Sequence, residues 1–237
     1  MTINKPQAVI FDFDGVLYNS EVAHHQAFCD FLDYYHYHYE RSWVKELIGT
    51  NPKMNIWFKI YQCLNCDISY EEFEENKTLY LKQVKVYNDV SDYLFKTTPL
   101  ALKLLKDNGI KLAVASSSAY DYLEYNLKKS KIFDYFDLIY SGRDLEASKP
   151  NPLIYQKTAQ DLGFDVSECA VIEDSYYGIQ AGKRAKMFVI GIKDFNFNID
   201  QSEADVLVND CYEASLFLLG LSASDKANNS KADNKNR

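Results

Sequence analysis

FDFDGVLYNSE, residues 11–21, begins on the last residue of the apolar run AVIF and carries two aspartates one residue apart, Asp12 and Asp14. AVIF, Ala8–Phe11, reads as a short buried strand. Two like charges at the end of such a strand repel each other, and each loses hydration there. Aspartate and glycine also make turns after strands. The stretch alone therefore permits two readings: a turn, or a site where a cation holds both carboxylates.

The chain around it is ordered by alternation. From about Asn19 to Asp92 aromatics and leucines recur at helical spacing, with a break at GTNP, residues 49–52. After Pro99, LALKLLKDNG predicts an amphipathic helix stopped by Gly109. IKLAVASSS then predicts a strand and polar turn, and AYDYLEYNLKKS a helix with basic residues at its end. FDLIYSG is a third strand and NPLIYQKTAQDLG a helix with proline at its start. CAVIEDS, MFVIGI and ADVLV supply three more strands, with the helix YYGIQAGKRAK after the first of them. Strands alternating with helices predict an α/β fold with a parallel sheet covered on both faces. The long helical insert after the first strand predicts a second lobe. The boundaries are 1–18 with 93–221 for the core and 19–92 for the lobe. Residues 222–237, polar and low in complexity, are expected to be disordered.

Charge narrows the partners. The formal net charge is −8, and the last sixteen residues carry four basic and two acidic groups, which leaves the body near −10. Nucleic acid wants a basic face, so it is not expected as a partner. A small phosphorylated substrate stays open, because a local metal can reverse the sign of one pocket. No apolar run approaches the roughly 20 residues that span a bilayer. MTINKPQAVIF has no long apolar segment and no small-residue cleavage site, so a cytoplasmic protein without a membrane partner, and a monomer, is expected. The five cysteines are an odd count without a signal peptide, which suggests free thiols. Cys63 and Cys66 have zinc-like spacing, but no second pair follows. All four histidines crowd into residues 24–40, where a polar helix face and a zinc site are both conceivable.

The strand ends decide between the two readings of Asp12 and Asp14. The first strand delivers those two acids, the second Ser116, Ser117 and Ser118, and the fourth Glu173 and Asp174. Lys149, in ASKPNP, follows the third. Ligands of open α/β sheets bind at the carboxyl ends of the strands, so these groups would meet at one edge. Carboxylates hold Mg²⁺. Hydroxyls, backbone N–H groups at a helix start and an ammonium bind phosphate oxygens. That is the equipment of phosphoryl transfer.

D-x-D-G-V at Asp12–Val16, Ser116 after an apolar strand, S-K-P at Ser148–Pro150 and E-D-S-x-x-G-I-x-A at Glu173–Ala181 resemble, in order and spacing, the four motifs of the haloacid dehalogenase superfamily. The resemblance covers about residues 7–193. The helical insert resembles the cap of the subgroup holding β-phosphoglucomutase and small sugar phosphatases. It implies a Rossmann-like core with a helical cap. Asp12 would be the nucleophile that forms an aspartyl-phosphate, and Asp14 the general acid and then base. Mg²⁺ would be bound by the Asp12 carboxylate, the Asp14 carbonyl and Asp174, and would offset the repulsion between the acids. Gly15, Ser116, Ser117 and Lys149 would bind the phosphoryl group, with Glu173 orienting Lys149 or a metal-bound water. His24 matches a histidine of the cap hinge in the phosphoglucomutase subgroup; a surface histidine on the first cap helix is the rival reading.

The chain departs from the pattern at three places. Leu100 stands where the family often has glycine, and Lys186 ends a helix that often ends in glycine. In the phosphoglucomutases a cap arginine grips a second phosphate; the comparable stretch here, TNPKMN, has Pro52 and Lys53 and no arginine. A lysine lacks the bidentate fork. The reading is therefore a Mg²⁺-dependent phosphatase of a sugar or sugar-acid phosphate. The alternatives are a phosphomutase and a catalytically idle binding protein on the same fold.

Overall fold

The strands are β1 (Ala8–Phe11), β2 (Lys111–Ser116), β3 (Leu138–Ser141), β4 (Cys169–Glu173), β5 (Phe188–Ile192) and β6 (Val206–Val208). The computed structural model that defines them describes residues 5–40, 43, 56–64 and 66–221. They form one sheet in the order β3-β2-β1-β4-β5-β6, and every neighbouring pair is parallel. β1 and β4 lie in its middle and are buried along their whole length. A strand covered on both faces needs apolar side chains at every position, which is why AVIF and CAVI are unbroken runs. Val9 and Phe11 pack on one face with Leu112, Val114 and Ile172. Ala8 and Ile10 pack on the other with Ala113, Ala115 and Val171.

The described helices are α1 (Glu21–Tyr34), α2 (Ile56–Leu64), α3 (Tyr70–Leu81), α4 (Thr98–Asp107), α5 (Tyr120–Lys129), α6 (Leu153–Leu162), α7 (Tyr176–Arg184) and α8 (Cys211–Leu218). Leu102 and Leu105 of α4, Leu123 and Leu127 of α5 and Leu218 of α8 cover the first face. Ile154 and Tyr155 of α6 and Ile179 of α7 cover the second. Each such side chain, fully buried, contributes roughly 1.5–3 kcal/mol. α6 stops at Gly163, which turns left-handed at φ 82. α8 is an element that the strand and helix runs above do not include. Its signal is Asp210 followed three residues later by Glu213: the Asp210 carboxylate accepts the Glu213 N–H at 2.8 Å.

The inserted helices α1, α2 and α3 build a cluster of their own around Phe28, Phe31, Ile60 and Phe73. The two connections to the sheet run side by side: Asn19 donates its N–H to Tyr93, and Phe95 its N–H to Leu17, at 2.8 and 3.1 Å. The returning segment is fastened to α5. Asn126 accepts the Val90 N–H at 2.7 Å, Tyr122 donates to the Val86 carbonyl at 3.2 Å, and Lys129 pairs with Asp89. Val86 and Val90 belong to the cluster on the first face of the sheet, which Ala27 of α1 also joins. Among the described residues no helix is long and apolar enough to cross a membrane, and no disulfide joins the cysteines. TNPKMN, with Pro52 and Lys53, and the tail 222–237 lie outside the described residues.

Candidate active site

The sheet order reverses between β1 and β4, so the chain leaves the two strands toward opposite sides and opens a crevice at their carboxyl ends. Asp12 is the first residue past β1, and its N–H still donates to Ile172 of β4 at 3.0 Å. The chain then curls: Leu17 and Tyr18 donate their N–H groups back to Phe13. Gly15 takes the positive φ of 73 that this curl requires. Its missing Cβ also makes room, since a Cβ there would stand 1.8 Å from Asp174 Oδ2. Gly15 thus lies against the Asp174 carboxylate.

Lys149 joins three strand ends. Its Nζ donates to Asp12 Oδ1 at 2.8 Å, to Glu173 Oε1 at 2.7 Å and to the Ala115 carbonyl at 3.4 Å. Ser116 follows Ala115, is buried, and accepts the Ser118 N–H at 3.1 Å. Ser117 is next to it and half-buried. Glu173 is fully buried. Its Oε2 accepts the N–H groups of Asp174 and Ser175 and the Ser175 hydroxyl, at 2.8 to 3.0 Å. Its Oε1 accepts the Tyr155 hydroxyl at 2.9 Å as well as Lys149. The E-D-S-x-x-G spacing now has a cause. Ser175 caps α7 by accepting the Gly178 N–H at 3.1 Å, and a Cβ at Gly178 would meet Glu173 Oε1 at 1.7 Å.

Asp14 is turned from this centre toward the inserted helices. Ser20, fully buried, donates to Asp14 Oδ1. His24 Nδ1 is 3.9 Å from the same oxygen, beyond hydrogen-bond reach. The other His24 ring nitrogen lies 3.2 Å from the Val86 carbonyl, and the ring packs on Tyr87 at 4.9 Å. His24 therefore bridges α1 and the returning connection at the edge of the site.

Electrostatics separates the acids. Burial works against a charged Glu173, but Lys149 and the hydrogen bonds outweigh it and hold its carboxyl below the usual range. Burial likewise opposes the Lys149 ammonium, yet Asp12 and Glu173 hold its proton affinity well above the ordinary lysine value. Asp12 is pushed up to about 7, by burial first and despite Lys149. Asp174 is raised well above the carboxylate range, by burial and then by Glu173, Glu21 and Asp12. One ammonium cannot balance this set. Oxygens of Asp12, Glu173 and Asp174 lie within 4.8 Å of one another, and those of Glu173 are already committed to five donors. Asp12 and Asp174 remain as an all-oxygen pair short of positive charge. That donor set suits a hard divalent cation.

The sequence model of the haloacid dehalogenase-like hydrolases matches residues 9–192. This chain belongs to that family. A haloacid dehalogenase-like hydrolase domain-containing protein of Arabidopsis thaliana is 30% identical over 81% of this chain and 71% of its own length. The phosphorylated carbohydrates phosphatase of Thermotoga maritima is 28% identical over 76% of this chain and 81% of its own. Among solved structures, β-phosphoglucomutase from Clostridium difficile superposes with TM-score 0.70 at 23% identity, covering 88% and 92% of the two chains. That likeness shows the shared fold.

In this haloacid dehalogenase-like hydrolase three residues join the site without a motif to announce them. Tyr155 reads as a core residue of an amphipathic helix. Glu21 opens α1, and burial, then Asp14 and Asp12, drive its carboxyl well up. Gln201 belongs to a polar loop after β5. Ser20 and Glu21 stand at the end of the opening stretch, whose sequence does not show that both turn toward Asp14.

Proposed function

We propose that this hydrolase cleaves a sugar phosphate or sugar-acid phosphate, with Mg²⁺, through an aspartyl-phosphate on Asp12. The chain is a phosphatase of phosphorylated small molecules, a phosphoric monoester hydrolase. The observation that carries the finer reading is Lys149 between Asp12 and Glu173, with the Asp174 carboxylate beside them and no cation of the chain to balance it among the described residues.

Asp12 attacks phosphorus, the bond from phosphorus to the sugar oxygen breaks, and Asp14 gives that oxygen a proton. Asp14, now a carboxylate, takes a proton from the water that attacks the aspartyl-phosphate, which releases inorganic phosphate and restores Asp12. Lys149 and Ser116, with the N–H of Ser117, hold the phosphoryl oxygens. Asp12, Asp174 and the Asp14 carbonyl would hold the Mg²⁺, which neutralises charge between nucleophile and phosphate. Glu173 keeps Lys149 in place. Ser20 and His24 flank Asp14 on the leaving-group side. The absence of arginine from TNPKMN favours water over a second sugar hydroxyl as acceptor. The sugar class follows the name of the Thermotoga maritima relative.

The test is phosphate release across a panel of phosphorylated sugars and sugar acids, with Mg²⁺ and with chelator. Mg²⁺-dependent release from a subset of the panel is expected. No release from any member, or release indifferent to chelator, would overturn the reading.

A further inference from the structure

Gln201 is a buried side chain, 8% exposed, for which the chemistry above has no use. Its carboxamide is spent on main-chain atoms. Nε2 donates to the Asp174 carbonyl at 2.5 Å and to the Ile192 carbonyl at 2.6 Å, and Oε1 accepts the Asp194 N–H at 3.0 Å. An amide side chain has two donor hydrogens, so each carbonyl receives one. The three groups belong to the residue after β4, the last residue of β5 and the loop that leaves β5. Asp194 closes that loop on itself, accepting N–H groups of Asn196, Phe197 and Ile199 at 2.8 to 3.0 Å. Gln201 is therefore a bolt between two strand ends and a self-contained loop.

The bolt acts on one residue of the site. Asp174 is fixed at its N–H by Glu173 Oε2 at 2.8 Å and at its carboxylate by the surface of Gly15. Its carbonyl is the third point, and Gln201 holds it. The peptide that follows is held at its other end by the Ser175 N–H on Glu173 Oε2 at 2.9 Å. A carbonyl freed from Gln201 leaves that one anchor, about which the peptide tilts and shifts the Cα and side chain of Asp174.

We propose that Gln201 is a positioning residue for Asp174: by clamping the carbonyls at the ends of β4 and β5 it fixes the carboxylate in the orientation that binds the divalent cation. The proposal rests on the reading of Asp12 and Asp174 as metal ligands. Outer hydrogen-bond partners of metal ligands are worth about 10–100-fold in affinity, and that is the expected size of the effect.

The experiment is direct titration of the metal-free protein with Mn²⁺, following free Mn²⁺ by electron paramagnetic resonance, well below the melting temperature of each variant. Asp174→Asn tests the underlying reading and should abolish binding. Gln201→Leu keeps the volume and removes the donors; its Mn²⁺ Kd should rise about tenfold or more. Gln201→Glu serves if the leucine variant does not fold. At mildly alkaline pH its added carboxylate would tighten cation binding by charge alone, so weaker binding there comes from the lost donors. An unchanged Kd in the leucine variant, or a tighter one in the glutamate variant, with Asp174→Asn still abolishing binding, overturns the role of Gln201 and leaves the metal reading standing. Binding that survives Asp174→Asn overturns both. A lowered melting temperature with an unchanged Kd marks a purely structural glutamine and overturns the proposal as well.

Discussion

The Asp174 carboxylate lies directly on the Cα of Gly15: a Cβ at Gly15 would stand 1.8 Å from Oδ2 and 2.3 Å from Cγ. Two strand ends that are far apart in sequence are pressed together there, and only a residue without a side chain permits it. The glycine of D-x-D-G is thus a constraint on the acid of E-D-S.

Gly15→Ala should accordingly act on Asp174. The new methyl must push the carboxylate away, and a displacement of about 1 Å near the reacting groups costs on the order of 10²-fold in kcat/KM. The positive φ adds a stability cost of about 1–2 kcal/mol. Kinetics with saturating Mg²⁺, beside a thermal melt, checks both. Activity within a few-fold of wild type would show that Asp174 does not need its present position.

Metal removal should matter more as pH rises. Asp12 is held at about 7, against 3.8 for an ordinary aspartate. A carboxyl raised in the folded state favours folding below its unfolded value, and that contribution is lost as pH climbs through the folded one. The metal-free protein should therefore lose stability between about pH 4 and pH 7. A cation should restore most of it above that window, displacing a proton below it. The melting-temperature gain from Mg²⁺ over chelator should be larger at about pH 8 than at about pH 5.5. An equal gain at both would argue that Asp12 is not among the groups the cation meets.

Lys186 takes a left-handed φ of 64 just past α7, and Met187 donates its N–H back to Gly182 at 3.2 Å. This is the turn that helices usually close with glycine. Lys186→Gly should relieve the conformation and stabilise by up to about 1 kcal/mol, with catalysis unchanged. At this chain length that is about 2–4 °C in Tm. A fall in Tm would mean that the exposed lysine contributes through contacts the backbone argument ignores.

The strand ends were legible because parallel strands buried on both faces leave unbroken apolar runs, and polar groups directly after them have nowhere to sit but the sheet edge. That logic places Asp12, Ser116, Glu173 and Asp174 before any coordinate is known, whereas Lys149, eight residues past β3, was placed by the S-K-P resemblance. It fails where an ordinary residue is recruited by packing. Tyr155 has the helical spacing of a core residue, and only its hydroxyl reaching Glu173 distinguishes it. Gln201 sits among Asp, Ser and Glu and looks solvated, yet the fold turns it inward under Asp174. His24 was placed by resemblance alone. Its contacts with Val86 and Tyr87 join segments 62 and 63 residues apart, a pairing that no local pattern encodes.

The central claim is that Asp12 carries the phosphoryl group and water removes it. Phosphorus NMR of a sugar phosphate turned over with Mg²⁺, by wild type and by Asp12→Asn in parallel, tests it most directly. The amide is nearly the size of the acid but a far weaker nucleophile. The account predicts inorganic phosphate as the main product of the wild type, and none above the uncatalysed rate from Asp12→Asn. Phosphate release by Asp12→Asn at more than about one hundredth of the wild-type rate would contradict it, as would isomerised sugar phosphate as the main wild-type product.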